Sequence, residues 1–371
     1  MNKELLYQKL GEWYEQNHRI LPWRETDDPY KIWISEIILQ QTRVAQGMEY
    51  YHRLVTRFPD IQSLADAQED EVLLYWQGLG YYSRARNMHK AAQLMKNHEM
   101  FHQAMRRLGD EAMRLLGDQA RGEKEGDEAM RRKVKGEEIF AALKSMPGVG
   151  DYTAGAIASF AFNMPYPALD GNVYRVLSRL YDCEMAFDTT QGKKHFRQLA
   201  EELLDREHPR LFNSAIMELG ALHCVPTAPD CPTCPLNTWC KALANNTVEL
   251  LPVRKPRAKV RDRYLEYTIY ITPERTTLIH QRKGNDIWKH LWEFVCAERT
   301  GEEAIRRKVK GEETLELTHV LSHQKLHAQF VIKNVSELPD IPDTLVVSLN
   351  DLDNYAFSRL TLKAIEFLAQ R

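Results

Sequence analysis

The segment SMPGVGDYTA, residues 145–154, places a Pro-Gly-x-Gly turn between two stretches with helical periodicity. Glycines at 148 and 150 would let backbone N–H groups approach a phosphate at the start of the following helix. That helix is rich in small residues, which permits close packing against a neighbour: Gly155, Ala156, Ala158 and Ala161. A glycine turn of this kind also occurs in ordinary helix hairpins. The segment therefore predicts a helical hairpin and raises phosphate binding as one use for it.

Four of the six cysteines lie together about seventy residues further on, at Cys224, Cys231, Cys234 and Cys240. Their spacing lets one short loop bring four thiolates to a single centre, which suits a four-iron four-sulfur cluster or a zinc ion. Zinc sites more often pair two Cys-x-x-Cys hooks, and only one hook is present here. The spacing favours the iron-sulfur cluster, with zinc and four unligated cysteines as the alternatives.

The composition sets limits on the class of protein. The chain has 371 residues, 43% of them hydrophobic, so two domains are the expectation. It contains no apolar run of about 18 residues and begins with a polar helical segment, which predicts a soluble cytoplasmic protein. A net charge of -2 neither supports nor excludes a nucleic-acid partner.

The hydrophobic pattern changes along the chain. Residues 1–251 have helical periodicity and predict an all-α domain, and residues 252–263 are a basic, proline-containing linker that either follows an anionic partner or is merely solvated. Alternation in 264–272, 276–282 and 328–334 predicts a smaller α+β domain over 264–371. Its segment 284–294 resembles the core of nudix hydrolase domains but lacks their metal-binding helix, so we expect no pyrophosphatase activity.

A charged, glycine-punctuated segment at residues 102–138 interrupts the helical domain and is predicted to be an insertion. The hexapeptide GDEAMR occurs in it twice, and the octapeptide RRKVKGEE at 131–138 recurs at 306–313. We expect surface additions without a catalytic role, or sequence not native to the fold.

Two carboxylates have surroundings suited to acid and base chemistry. Glu36 lies in an apolar stretch, so desolvation is expected to raise its pKa and keep a proton available. Gln40 and Arg43 are expected on the same helical face. Asp170 precedes an amphipathic helix, where it can cap the N-terminus and remain ionised. The simpler alternatives are an exposed Glu on an amphipathic helix and a purely structural cap.

The order of the glycine turn, then DGNV at 170–173, then the cysteine spacing resembles the endonuclease III and MutY glycosylase superfamily over residues 8–100 and 140–250. Three segments and the trailing domain are more similar to the MutY family: LPWR at 21–24, WISEIILQQTR at 33–43 and GLGYYSRARN at 78–87. The resemblance implies an all-α helix-hairpin-helix DNA glycosylase with an iron-sulfur loop, followed by a C-terminal α+β nudix-like (MutT-like) domain.

The resemblance also implies a function. It implies a monomeric, bacterial-type cytoplasmic enzyme, associated with the nucleoid, that hydrolyses adenine from double-stranded DNA opposite 8-oxoguanine or guanine, with one 4Fe-4S cluster on the four cysteines. Glu36 would act as the acid, Asp170 would stabilise the sugar cation, and Asn172 would orient Asp170. Tyr152, expected near Asp170, stands where strand-cleaving relatives carry Lys, so we expect a monofunctional enzyme. The alternatives are a glycosylase directed to another mismatch or to pyrimidines, and an inactive DNA-binding protein.

DNA-binding roles follow from the same resemblance. Gln41 and Tyr81 would fill the space left by the extruded base. The remaining DNA contacts are expected at Gly148, Gly150, Arg84 and Arg86. The adenine pocket would comprise Arg19, Leu21, Trp23 and Arg24, of which Leu21 and Trp23 could instead be core. Ser322 and His323 would read 8-oxoguanine, beside Leu321 where the family usually has Phe, which removes an aromatic stacking contact.

Overall fold

A computed structural model describes residues 2–97, 137–256, 260–301 and 313–370. The predicted insertion and both copies of the octapeptide fall outside these ranges, apart from their final positions. Within the described residues, no helix is both long enough and apolar enough to cross a membrane.

The chain forms two compact units, Met1–Gln41 with Ala91–Pro256, and Thr42–Lys90 with Arg257–Arg371. Helices of the first unit are α1 (Lys3–Asn17), α2 (Pro29–Leu39), α7 (Asp151–Phe162), α8 (Gly171–Tyr181), α9 (Thr190–Leu203), α10 (Pro209–Leu222) and α11 (Lys241–Ala244). The second unit contains α3 (Val44–Arg57), α4 (Ile61–Asp66), α5 (Glu69–Trp76) and the start of α6 (Ser83–Asn97). The domain boundaries drawn from the sequence stay a prediction.

The helices that carry the candidate site have defined starting points. Helix α2 begins at the Asp28 cap, whose side chain accepts from the backbone N–H of Tyr30, with Pro29 at the first helical position. Helix α7 passes close to a neighbouring segment at Gly155, where an added Cβ would lie 2.7 Å from the Pro167 carbonyl oxygen. The small residues predicted to allow close packing therefore do so at this glycine.

The second unit contains a six-stranded mixed sheet with the order β4-β5-β1-β3-β2-β6. Its strands are β1 (Arg261–Ile271), β2 (Thr276–Gln281), β3 (Trp292–Arg299), β4 (Glu313–Val320), β5 (Gln324–Asn334) and β6 (Thr344–Ser348). Strands β1 and β5 are parallel, and the other pairs are antiparallel. Helix α12 (Arg359–Ala369) contributes Leu360, Ala364 and Leu368 to the core of this sheet. The predicted α+β architecture is confirmed.

One local prediction was wrong. Helix α2 ends at Leu39, Gln40 is its C-cap, and Gln41 adopts a left-handed φ of 59°. Arg43 instead caps the start of α3. The continuous helical face expected to align Glu36, Gln40 and Arg43 is therefore broken, because a left-handed residue ends the helix before the third position.

Candidate active site

The carboxyl group of Glu36 lies at the centre of a buried polar cluster in the first unit. Glu36 lies on α2 and is 1% exposed. The Tyr152 hydroxyl donates a 2.7 Å hydrogen bond to its Oε2 atom, and Nη1 of Arg24 lies 3.4 Å from Oε1. The Arg24 guanidinium also lies over the Phe160 ring, 3.6 Å from its centroid. Glu36 is thus held by two polar partners inside an apolar wall.

Asp170 is the N-cap of α8, as its position before an amphipathic helix predicts. Its carboxylate accepts 2.8 Å hydrogen bonds from the backbone N–H of Val173 and from Nδ2 of Asn172. Burial raises the pKa of Asp170 above its ordinary value; the hydrogen bonds oppose this shift, and the nearby charge of Glu36 adds to it. The two carboxyl groups therefore interact electrostatically within one buried site.

Tyr152 interacts with both carboxyl groups in different ways. Its hydroxyl donates a hydrogen bond to Glu36, and the charge of Asp170, near which the sequence predicted it, also acts on it. Burial raises the pKa of Tyr152 well above its ordinary value, and the charges of Glu36 and Asp170 act in the same direction. The hydroxyl consequently keeps its proton and serves as a donor at neutral pH.

A chain of hydrogen bonds connects Asp170 to the cysteine loop. Arg175 Nη2 donates to Oδ1 of Asn172 at 2.9 Å, and its Nε donates to the Cys224 carbonyl at 2.7 Å. Helix α10 approaches this chain at Gly220, where an added Cβ would lie 2.7 Å from Cβ of Asn172. Asn172 is therefore fixed from two sides, as expected for a residue that orients Asp170.

The four clustered cysteines line one common pocket, with Arg179 on its wall. The Arg179 guanidinium is buried, donates to the Val225 carbonyl at 2.7 Å and lies 3.4 Å from the Cys224 sulfur. Burial raises the pKa of Cys234 to about 12. A thiolate there needs cationic partners, which a bound metal centre and Arg179 would supply. The donor set therefore fits a thiolate-bound centre.

Across the described residues, no group of three or more His, Cys, Asp or Glu side chains already forms a coordination shell for a metal ion. The shared pocket and the nearby guanidinium are the observations that bear on the cofactor, whose identity remains a proposal.

The residues expected around the adenine differ in exposure. Arg19 makes a bidentate ion pair with Glu218, with Nε 2.5 Å from Oε1 and Nη2 2.9 Å from Oε2. Leu21 and Trp23 are 7% and 1% exposed. Without bound DNA they are therefore core residues, which is the alternative that the sequence left open for them. Arg24 is the member that contacts Glu36.

The glycine turn precedes α7, as the sequence predicts. Gly148 adopts a φ of 80°, a left-handed value that L-residues seldom occupy. Gly150 is the N-cap of α7, makes no side-chain cap bond and has open space where a Cβ would stand. The first backbone N–H groups of α7 have no acceptor within the helix, as at any helix start, and such groups can bind an anion.

Of the side chains expected to meet DNA, Tyr81 is exposed and has a left-handed φ of 48°, and Gln41 is also exposed. The expectation for Arg84 needs correction. Its side chain is buried, lies 3.3 Å from Oγ1 of Thr42 and donates to the Gly80 carbonyl at 3.1 Å. Burial lowers the pKa of Arg84 to about 10. This guanidinium therefore holds the loop that carries Tyr81.

Arg86 is also directed at the protein, since its Nη1 donates to the Lys289 carbonyl at 2.7 Å. In the sheet, Leu321, Ser322 and His323 form the tight turn between β4 and β5. Ser322 and His323 are exposed, with Oγ 3.2 Å from Nδ1, whereas Leu321 packs partly against the core.

The sequence is similar to two families of known protein domains and to several adenine DNA glycosylases. Residues 34–206 match the model of the HhH-GPD superfamily of base excision DNA repair proteins, and residues 266–367 match the NUDIX domain model. The adenine DNA glycosylase of Buchnera aphidicola subsp. Baizongia pistaciae (strain Bp) is 31% identical over 369 residues, covering 95% of this chain and 93% of that protein. The mouse adenine DNA glycosylase is 37% identical over 241 residues, covering 63% of this chain and 41% of the mouse protein.

These matches define a helix-hairpin-helix base excision repair protein with an additional nudix-type domain. The chain belongs to the adenine DNA glycosylase family, a family of hydrolases. The family and fold class predicted from the sequence are confirmed.

Sequence reasoning missed three residues of the candidate site: Glu218, Arg175 and Arg179. Glu218 is 199 positions from its partner Arg19, so no local pattern joins them. Arg175 and Arg179 lie four positions apart on one side of α8, away from the apolar stripe of that helix, and a local pattern does not show that both are buried.

Proposed function

We propose that this protein hydrolyses the N-glycosidic bond of adenine paired with 8-oxoguanine, or with guanine, in double-stranded DNA. The observation that carries the proposal is the buried cluster in which Tyr152 donates to Glu36 while Asp170, the N-cap of α8 that accepts from Asn172, interacts electrostatically with both. Two carboxyl groups in different surroundings are what glycosidic cleavage requires.

Glu36 is the general acid in this proposal. As the bond between C1′ and N9 breaks, its electron pair leaves with the adenine, which takes the proton from Glu36. Tyr152 and Arg24 orient the carboxyl group by contacts at its two oxygens. Asp170, ionised, stabilises the positive charge that develops on the sugar. Water then adds its oxygen to C1′ and gives up one proton to a carboxylate of the pair.

The reaction ends with base release and leaves the strand intact. Lysine-type glycosylases attack the sugar with an amine, and position 152 is a tyrosine whose raised pKa keeps it protonated. The enzyme is therefore monofunctional in this proposal and acts as a cytoplasmic monomer on DNA.

The cysteine loop would hold one 4Fe-4S cluster through Cys224, Cys231, Cys234 and Cys240. A bound cluster would supply one-electron redox chemistry and cross-link the loop. This chain's contribution is to hold the loop against α8, through Arg179 on the Val225 carbonyl and Arg175 on the Cys224 carbonyl.

A base-release assay tests the function. Single-turnover reactions are run on otherwise identical duplexes containing A opposite 8-oxoguanine, A opposite G, A opposite T, and T opposite G. Adenine release from the first two, with strand breaks only after alkali treatment, supports the proposal. Release of thymine without adenine would assign a pyrimidine-directed enzyme, and binding without release of any base would assign an inactive DNA-binding protein.

A further inference from the structure

The loop from Gly78 to Tyr82 has an unusual backbone. Gly78, Gly80 and Tyr81 adopt φ values of 93°, 81° and 48°, so three of four consecutive residues are left-handed. Tyr81 is not a glycine, so a left-handed φ is unfavourable for it and persists only where the surroundings impose it. Its side chain is nonetheless 46% exposed. Something other than burial of the Tyr81 ring must hold this conformation.

Within the second unit, the loop is bonded to the C-terminal domain through both backbone polar groups of one residue, Phe357. The Phe357 N–H donates to Oε1 of Gln77 at 2.7 Å, and the Phe357 carbonyl accepts from the Tyr82 hydroxyl at 3.2 Å. Gln77 and Tyr82 immediately flank the left-handed segment. Both ends of the loop are therefore attached to the same residue.

That residue is itself rigid. Phe357 is 1% exposed, its ring stacks on Phe294 of β3 with centroids 6.3 Å apart, and its backbone forms a bridge with Trp292. Ser358, the next residue, caps α12 through a hydrogen bond to the Thr361 N–H. The attachment point thus belongs to the hydrophobic core of the nudix-type domain, which makes it a fixed reference for the loop.

The contacts inside the loop transmit this position to Tyr81. The Tyr82 hydroxyl also accepts from the Gly78 N–H at 3.1 Å, and Tyr50 donates to the Gln77 carbonyl at 2.8 Å. Gly80 accepts from Nε1 of Trp76 at 3.0 Å. Gly80 and Tyr82, the two neighbours of Tyr81, are hydrogen-bonded, whereas the Tyr81 ring stays about half exposed, with the guanidinium carbon of Arg84 5.6 Å from its centroid.

We propose that the C-terminal domain positions Tyr81 for insertion into DNA, through the hydrogen bonds of Gln77 and Tyr82 to the backbone N–H and carbonyl of Phe357. Gln77 and Tyr82 are positioning residues for base extrusion. The domain that carries the predicted 8-oxoguanine loop therefore also sets the position of Tyr81, the residue that would fill the space left by the extruded base. The inference rests on the proposed function, because it requires Tyr81 to enter DNA.

The test combines substitution with a double-mutant cycle. Gln77→Leu removes the acceptor for the Phe357 N–H, and Gln77→Glu keeps an acceptor oxygen at the same place. Asp70→Ala is the matched control, since Asp70 accepts from Gln281 of β2 at 2.9 Å but lies outside the loop. Each protein is assayed for single-turnover adenine release opposite 8-oxoguanine, for thermal midpoint, and for fluorescence of 2-aminopurine placed beside the 8-oxoguanine.

Loss of one buried hydrogen bond at a positioning residue is expected to slow release by about tenfold and to reduce the fluorescence rise in parallel. Gln77→Glu should recover the rate to within about threefold, and Asp70→Ala should stay within about twofold of wild type. In a Tyr81→Ser background, Gln77→Leu should slow release by less than about twofold further, because the two residues act through one step.

The inference is overturned if Gln77→Leu keeps the wild-type rate and fluorescence, or slows release equally with and without Tyr81. A wild-type rate for Tyr81→Ser would also overturn it, because Tyr81 would then have no role in base extrusion. No adenine release by the wild-type protein on any substrate would defeat the proposed function itself, and this result is distinct from the others because it appears before any substitution is made.

Discussion

The Tyr152 hydroxyl donates a 2.7 Å hydrogen bond to Oε2 of Glu36, across 116 positions of sequence. This bond joins the first helical turn after the glycine hairpin to the middle of α2. It couples the helix start that follows the glycine turn to the carboxyl group proposed as the acid. DNA bound at the hairpin would therefore meet a site in which Glu36, the proposed proton donor, is already oriented by Tyr152.

Glu36→Gln is expected to lower single-turnover adenine release by at least about a hundredfold, because the amide cannot donate an acidic proton. The amide oxygen can still accept from Tyr152, so the thermal midpoint and DNA affinity should stay close to wild type. Glu25→Gln, a nearby carboxyl without a role in the proposal, serves as the control. Release at the wild-type rate by Glu36→Gln would remove the acid assignment.

Asp170→Asn is expected to abolish activity and stabilise the protein. Burial raises the folded-state pKa of Asp170 above its ordinary value of 3.8, so the unfolded state has the lower pKa. The charged form is therefore penalised on folding; the penalty is absent below the unfolded pKa and is complete above the folded one. The amide escapes it, and the thermal midpoint at pH 7 should rise by about 2 °C or more.

The gain should shrink as the pH falls towards the unfolded pKa of Asp170. Asp182→Asn provides a control of opposite sign, since hydrogen bonds from Thr247 and Asn245 lower the pKa of Asp182. Its substitution should not raise the midpoint at pH 7. A midpoint for Asp170→Asn below that of wild type at pH 7 would show that the N-cap bonds outweigh burial.

Much of the fold was predictable because it depends on local pattern. The alternation in β1, β2 and β5 and the glycine turn before α7 can be read directly from neighbouring residues. The end of α2 could not be, because Gln41 carries no glycine or proline signal for its left-handed backbone.

The candidate site was predictable where a residue type implies its role, as at Asp170, whose capping bond follows from its place before a helix. It was not predictable where tertiary packing decides. Arg84 has the sequence context of a surface arginine, yet it is buried over Trp76, with the guanidinium carbon 5.1 Å from the ring centroid.

Gly220→Ala is expected to impair catalysis by displacing Asn172. The new methyl group would lie 2.7 Å from Cβ of Asn172 and 2.9 Å from its backbone oxygen, so α8 or α10 must shift. Adenine release should fall by about tenfold or more, since small displacements of positioning groups are costly. Gly11→Ala in α1 is the matched control, because no atom lies within 4 Å of its new methyl group. It should be neutral or slightly stabilising, and equal rates for the two variants would contradict the packing argument.

Cys231→Ser is expected to reduce bound iron and visible absorbance in the purified protein and to loosen residues 224–251. Without a bound centre, the loop loses the cross-link among its four cysteines, so amide hydrogen exchange there should accelerate. Strand β1 should exchange as in wild type. Cys183→Ser, which alters a cysteine outside the pocket, should retain the iron. Stoichiometric zinc in a colourless wild-type protein would replace the cluster assignment with a zinc site.

Ser322→Ala is expected to weaken discrimination of the base opposite adenine. The Ser322 hydroxyl is exposed in a turn that the Leu321 N–H closes onto the Gln324 carbonyl at 2.7 Å, so it is presented on a fixed backbone. One lost hydrogen bond to 8-oxoguanine should raise the Kd for the A:8-oxoguanine duplex by about fivefold and leave the A:G duplex within about twofold. Thr318→Ala removes an exposed hydroxyl from the adjoining strand β4 and should change neither value. A parallel loss of affinity for both duplexes would mean that Ser322 contacts the backbone of the DNA, because a phosphate contact carries no information about the opposing base.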